Sequence, residues 1–224
     1  MKLIAFDTST DACSCALFVN GTVHERFEMA PRQHAQKLLA MVEAALREGG
    51  LELGALDALA FGRGPGSFTG IRIATAAVQA LAFGADLPVV PVSSLAALAQ
   101  GAHEAHGVTR IAAAFDARMG EVYWGAFEID SGGIARVSQT ERVCPPGDSP
   151  LLSDPPWTGV GEGWEVYETS LRARFGNRID EVYPSMYPRA RDVAVLAADG
   201  FRRGEAVSAE AALPVYLRDR VTRT

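Results

Sequence analysis

The stretch Ala58-Leu59-Ala60-Phe61-Gly62-Arg63-Gly64-Pro65-Gly66-Ser67-Phe68-Thr69-Gly70-Ile71-Arg72-Ile73-Ala74-Thr75-Ala76-Ala77-Val78-Gln79 decides how the chain is read. It begins as a short apolar strand, passes through a glycine-rich loop and enters a helix near Gly70. Glycine permits positive φ and close backbone approach. Ser67 or Thr69 suits the helix cap, where a hydroxyl accepts from a free N–H. Exposed N–H groups at a helix start favour an anion. Two readings stand: a phosphate or carboxylate site, and a tight strand-to-helix turn. The loop is not a Walker A motif, because Gly70 is followed by Ile71 and Arg72 rather than Lys-Ser/Thr. Nor does Ser67-Phe68-Thr69 fit the dinucleotide fingerprint.

The surrounding chain builds a layered unit. Leu3 to Phe6, Cys13 to Val19 and Val23 to Met29 read as three strands, and Asn20-Gly21 suits a tight hairpin turn. Pro31 to Arg47 carries apolar residues at helical spacing. The strand at Ala58 and the helix from Gly70 to Phe83 follow, then a strand at Val89 to Val92 and a helix from Leu95 to about Ala102. The helix from Gly70 is apolar nearly all round, which predicts burial on more than one side, in a core or against a partner.

After Gly107 the pattern restarts. Ala114-Phe115-Asp116 repeats Ala5-Phe6-Asp7, and in both places a strand, a turn and a third strand follow. This predicts an internal duplication. Further on, Pro145-Pro146-Gly147 and Asp154-Pro155-Pro156 mark a surface stretch, Trp157 to Val160 a strand, Trp164 to Phe175 one helix and Arg191 to Arg203 a final helix. The predicted class is α/β: two tandem ribonuclease-H-like lobes of the actin, sugar kinase and Hsp70 type, 1–104 and 105–224. The final helix and tail, from about 190, are free to pack back on the first lobe.

Composition narrows the function classes. The chain has 224 residues and a net charge of −6, from 27 acidic and 21 basic side chains. Nucleic acid is gripped by a basic face, so RNA is expected to be held through a partner. Three cysteines, Cys13, Cys15 and Cys144, make no disulfide framework. The chain shows no leader and no apolar run of about 18 residues, which predicts a cytoplasmic protein without membrane contact.

Several residues are candidates for chemistry. Asp7 and Asp116 end equivalent strands, so they suit either a shared ligand or a pair of turns in which each binds its own backbone. Candidate anion or nucleotide contacts are Asp7, Thr8, Ser9, Gly64, Gly66, Ser67, Thr69 and Asp116. His103-Glu104-Ala105-His106 has the wrong spacing for a metalloprotease helix and reads as loop. No metal site is expected. Ser67 lacks a nucleophile elbow.

As a string, Gly64-Pro65-Gly66-Ser67-Phe68-Thr69-Gly70-Ile71-Arg72 resembles the signature of the bacterial TsaB family, also called YeaZ. The likeness extends over Ile4-Ala5-Phe6-Asp7-Thr8-Ser9, the helix at His34, Asp116-Ala117-Arg118-Met119-Gly120-Glu121-Val122-Tyr123 and Pro214-Val215-Tyr216-Leu217-Arg218. The resemblance implies a non-catalytic paralogue of TsaD. Such a subunit works with TsaD and the ATPase TsaE in transferring threonylcarbamoyl to adenosine 37 of tRNA. Where TsaD carries its His-Leu-x-x-His metal motif, this chain reads Ser94-Leu95-Ala96-Ala97-Leu98. The resemblance therefore implies an inactive isolated chain with no cofactor of its own, ATP or ADP remaining open within the complex. It also implies a TsaD-type and a TsaE-type partner, and a homodimer in isolation. The expected partner surface lies on His34, Leu38, Leu39, Val42, Ile73, Ala77 and Leu81. The alternatives are an ATP-dependent phosphotransferase of the sugar kinase fold, against which the missing glycine after Asp7-Thr8 counts, and a glycoprotease-like metallopeptidase.

Overall fold

The computed structural model describes residues 1–154 and 156–218. They form two compact units: Met1–Ala97 with Pro188–Val215, and Leu98–Tyr187 with 216–218.

In the first unit, β1 (Lys2–Asp7), β2 (Ala12–Val19) and β3 (Thr22–Met29) form an antiparallel meander. Asn20 and Gly21, at φ 51° and 95°, make the turn between β2 and β3. The helix α1 (His34–Glu48), the strand β4 (Ala58–Gly62), the helix α2 (Phe68–Ala85) and the strand β5 (Val89–Val92) follow. The sheet order is β3-β2-β1-β4-β5, with β1, β4 and β5 parallel. Leu3, Ile4, Ala5 and Phe6 are fully buried, as in a strand covered on both faces. Leu38, Val42, Ala74, Val78 and Ala82 from α1 and α2 close over Ile4, Phe6, Cys13, Cys15, Leu59 and Phe61. The three cysteines are free thiols in buried positions.

The helix α3 (Ser94–His106) crosses from one unit into the other at Ala97. In the second unit, β6 (Arg110–Asp116), β7 (Val122–Ile129) and β8 (Ala135–Cys144) repeat the meander. Then come β9 (Trp157–Val160), α4 (Gly163–Val166), α5 (Glu168–Phe175) and β10 (Ile179–Tyr183). The order β10-β9-β6-β7-β8 is that of the first sheet, with β6 and β9 parallel as β1 and β4 are. The duplication and the predicted pair of ribonuclease-H-like units are thus present in strand order and direction. Here the core is aromatic. Trp124 stacks on Phe175 at 4.8 Å, and Trp164 donates through Nε1 to Ala112 O at 2.8 Å. Gly159 makes room for it, since a Cβ there would lie 2.6 Å from Trp164 Cε2.

The last helix, α6 (Ala190–Arg202), belongs to the first unit and packs on β1, β2 and β4. Its Val193, Ala194 and Ala197 are fully buried. Ser14 Oγ accepts from Ala190 N at 2.9 Å. Ser14 alternates with Cys13 and Cys15, so α6 covers the sheet face opposite α1 and α2. Glu25 ties the helix start down, accepting from Arg189 Nε and Nη2 at 2.9 and 2.6 Å.

Three sequence expectations are corrected. Helix α1 starts at His34 rather than Pro31, because Arg32 at φ 63° interrupts the helical backbone. His103 to His106 are the last turn of α3, not a loop; Gly107 at φ 71° then ends it, donating to His103 O at 2.7 Å. The predicted helix from Trp164 to Phe175 is two pieces, broken at Tyr167 with φ −119°. Helix α2, apolar nearly all round, is buried within its own unit along one stripe, Ile71, Ala74, Thr75, Val78 and Ala82. By length and composition alone α2 would suffice to cross a bilayer, but that stripe is packed on its own sheet.

Overfilling the face under α6 should be costly. Ala197→Leu is expected to lower the unfolding free energy by about 1–3 kcal/mol, read from the urea midpoint.

Candidate functional site

Strand β1 delivers Asp7, Thr8 and Ser9 to the glycine loop, and all three are buried. Asp7 Oδ1 accepts from Ser9 N at 2.9 Å and Ser9 Oγ at 2.8 Å, which curls the chain into a tight turn. Its Oδ2 accepts from Ser94 Oγ at 3.3 Å.

The glycine loop lies directly on this turn. Ser67 N donates to Ser9 O at 2.7 Å, and Thr8 Oγ1 donates to Gly70 O at 2.7 Å. A Cβ added at Gly62, Gly66 or Gly70 would come within 1.8 Å of Asp7 Oδ2, 2.3 Å of Ser9 O and 1.9 Å of Thr8 O. A Cβ at Gly64 would lie 3.1 Å from Val215 O. The glycines thus serve close packing of two backbone segments. Ser67 caps α2 by accepting from Gly70 N at 3.3 Å, as its type predicts, and Ser67 and Thr69 are exposed at the helix start.

Burial is the main influence on Asp7 and pushes its carboxyl up to about 6; hydrogen bonds from Ser9 and Ser94 and the nearby His34 pull the other way. His34 is itself buried, with Nε2 lacking a hydrogen-bond partner.

Asp116 sits at the end of β6 in the second unit and makes the matching turn. Its Oδ1 accepts from Arg118 N at 2.7 Å and Tyr167 OH at 2.9 Å, and its Oδ2 from Arg118 Nη1 at 2.8 Å. Both aspartates hold the residue two positions on.

The segment Ser94 to Leu98, which the resemblance sets against a metal motif, offers no pair of ligands. Ser94 is fully buried and spends its hydroxyl on Asp7, while Leu98 offers no donor atom. Elsewhere, His106 stacks on Tyr183 at 3.8 Å and His103 Nδ1 meets Val108 O at 3.0 Å. Among the described residues no three His, Cys, Asp or Glu side chains cluster as metal ligands.

The expected partner surface divides in two. His34, Leu38 and Val42 point into the core of the first unit and present no surface, because helical periodicity marks the face that meets the sheet. Ile73, Ala77 and Leu81 are half-buried against that core. Leu39 is 54% exposed. The open face of α2 consists of residues the sequence reading passed over: Phe68 (52% exposed) with the Arg72 guanidinium 3.6 Å above its ring, then Ala76, Ala80 and Phe83 (76% exposed). Their spacing of three and four residues is the signal that would have found them.

A carboxyl that titrates near 6 when folded and near 3.9 when unfolded binds more protons in the folded state between those values. Its contribution to stability is present below about pH 4 and lost as pH rises through 6. Asp7→Asn keeps an acceptor for Ser9 and removes the ionisation. It is expected to flatten the stability profile across that window and to stabilise the chain at pH 7 by up to about 3 kcal/mol, in urea titrations at each pH. Gly70→Ala is expected to cost more than 3 kcal/mol or to prevent folding, since its Cβ meets backbone that cannot yield.

Comparison with known proteins places this geometry. The family model described as TsaD, tRNA N6-adenosine threonylcarbamoyltransferase, matches residues 21–224. The tRNA threonylcarbamoyladenosine biosynthesis protein TsaB of Escherichia coli (strain K12) is 44% identical, covering 99% of this chain and 96% of its own. The TsaB protein of Haemophilus influenzae is 40% identical, covering 99% and 95%. The solved structure of YeaZ from Pseudomonas aeruginosa has a TM-score of 0.90 and 48% identity, over 96% of this chain and 99% of that one. A second Pseudomonas aeruginosa structure, described as an uncharacterized protein with similarity to peptidase YeaZ, has a TM-score of 0.91 and 48% identity, over 97% and 99%. The chain belongs to the TsaB (YeaZ) family, within the wider group matched by the TsaD model.

Proposed function

We propose that this chain acts in the biosynthesis of threonylcarbamoyladenosine on tRNA, as a non-catalytic subunit that binds a TsaD-type catalytic subunit. The observation that carries the reading is the 44% identity, across nearly its full length, to the TsaB protein of Escherichia coli, whose name assigns it to that biosynthesis. The residue chemistry supports the non-catalytic part. Where TsaD has its metal histidines, this chain has a committed serine and a leucine. The chain's own Asp7–Ser9 turn takes the Ser67 N–H and lies against the Cα atoms of Gly66 and Gly70, which supports a loop that packs the chain rather than one that holds a phosphate. A TsaE-type ATPase completes the assembly. tRNA is held through the partners, in keeping with the net charge of −6, and the work is done in the cytoplasm.

The surface for the catalytic partner is the open face of α2 with Leu39 of α1. Small Ala76 and Ala80 between exposed Phe68 and Phe83 let another helix approach closely, with an aromatic anchor at each end. In isolation the same face pairs with a second copy. Ala80→Glu tests this without disturbing the unit's own core, whereas a charge at half-buried Ala77 or Leu81 would. The variant is expected to change stability by no more than about 0.5 kcal/mol. It should elute as a monomer, fail to co-elute with the TsaD-type subunit and fail to support threonylcarbamoyladenosine formation in a reconstituted mixture. Retained co-elution would reject the face; modification of tRNA by the chain alone, without the other subunits, would reject the non-catalytic role.

The description of a structural neighbour as similar to a peptidase gives the second reading. Hydrolysis of a peptide library by the isolated chain, abolished by chelation, would establish it in place of the first.

A further inference from the structure

The turn between β6 and β7 is built from an unusual backbone. Arg118, Met119 and Gly120 follow one another at φ 62°, 57° and 79°. For a side-chain-bearing residue the left-handed region is disfavoured, and two in succession persist only when their surroundings hold them. Two grips do so within the second unit. On one side, the Asp116 carboxylate takes Arg118 N, Arg118 Nη1 and Tyr167 OH, and Tyr167 is also hydrogen-bonded to the Gly120 backbone. The break between α4 and α5 falls at Tyr167 itself. On the other side stands Arg218, from the end of the described chain. Its Nη2 donates to Arg118 O at 3.4 Å and to the Glu121 carboxylate, and its Nη1 lies 3.5 Å from Met119 Sδ. Arg218 and Glu121 keep only 16% and 24% of their side chains exposed, whereas the Arg118 side chain is 83% exposed and Met119 is 47% exposed. A residue so near the described end thus reaches back about a hundred positions in sequence to a strained turn and is mostly buried there.

We propose that Arg218 is a latch: seated on Glu121 and Arg118 O, it holds the Arg118–Gly120 turn in its left-handed form, so the display of Arg118 and Met119 depends on the C-terminal segment being docked. The first grip comes from side chains carried on the strand β6 and between the helices α4 and α5 of the second unit; the second is the detachable one, because it arrives on a segment that forms neither helix nor strand.

Hydrogen exchange of the full chain tests this. Arg218→Ala is expected to speed exchange at Glu121 N, which donates to Arg118 O, and at the Arg118 amide by at least tenfold, with the amides of β6 and β7 unchanged. Glu121→Gln should act in the same direction. Met119→Asn, which relieves the left-handed cost, should reduce the effect of Arg218→Ala to less than threefold. Exchange within twofold of the parent in Arg218→Ala would overturn the latch. So would an undiminished effect in the Met119→Asn background, since Arg218 would then be holding something other than backbone strain. If Arg218→Ala unfolds the chain as a whole, the exchanged pair Arg218→Glu with Glu121→Arg decides: restored protection of the turn supports the latch, and no restoration overturns it.

Discussion

The structure depends on one contact between two backbone turns. The Asp7–Ser9 turn and the glycine loop approach so closely that a single added carbon at Gly62, Gly66 or Gly70 would overlap the opposite chain. Two hydrogen bonds, from Ser67 N to Ser9 O and from Thr8 Oγ1 to Gly70 O, fix the approach. This contact sets where α2 begins and which way it faces. Ile71, Ala74, Val78 and Ala82 consequently meet the sheet, and Phe68, Ala76, Ala80 and Phe83 are left outward. Asp7 sits under the contact with its charge desolvated, a local cost accepted where backbone N–H and hydroxyl donors converge.

The duplication gives the same strand order twice, and each copy has specialised around its aspartate. In the first, Asp7 is roofed over by the glycine loop and reached by the hydroxyl of Ser94. In the second, the Asp116 side chain is also covered, at 6% exposure, but by other partners. It holds Arg118 and Tyr167 and shapes the turn that carries the exposed Arg118 and Met119. One carboxylate at the end of one strand thus supports a buried junction in one unit and a displayed turn in the other.

Much of this was legible in the sequence. The strands β1, β2 and β3, the Asn20-Gly21 turn and the glycine loop carry strong local signals, and the repeated Ala-Phe-Asp endings exposed the duplication. What stayed hidden has physical causes. Strand β10 is an edge strand with Asp180 and Glu181 exposed, so its apolar alternation is faint. Glycine spacing says that something approaches the loop closely without naming it; the distances add that the carbonyls of Thr8 and Ser9 do so. Helical periodicity in α1 marked Leu38 and Val42, which face the core, because the hydrophobic pattern reports the largest buried surface and not a docking one. In α2 the pattern is apolar on every side and carries no direction at all until the sheet is in place. The roles of Ser94, Tyr167 and Arg218 rest on contacts between residues far apart in sequence, which no local pattern encodes.

The central claim is that the glycine loop is a junction within the chain and not a phosphate cradle. Titrating the isolated protein with Mg-ATP and Mg-ADP while following the amide resonances of Gly64, Gly66, Ser67 and Gly70 tests it most directly. The account predicts that these resonances stay in place up to millimolar nucleotide. Saturable shifts centred on them, with a Kd in the micromolar range, would contradict it.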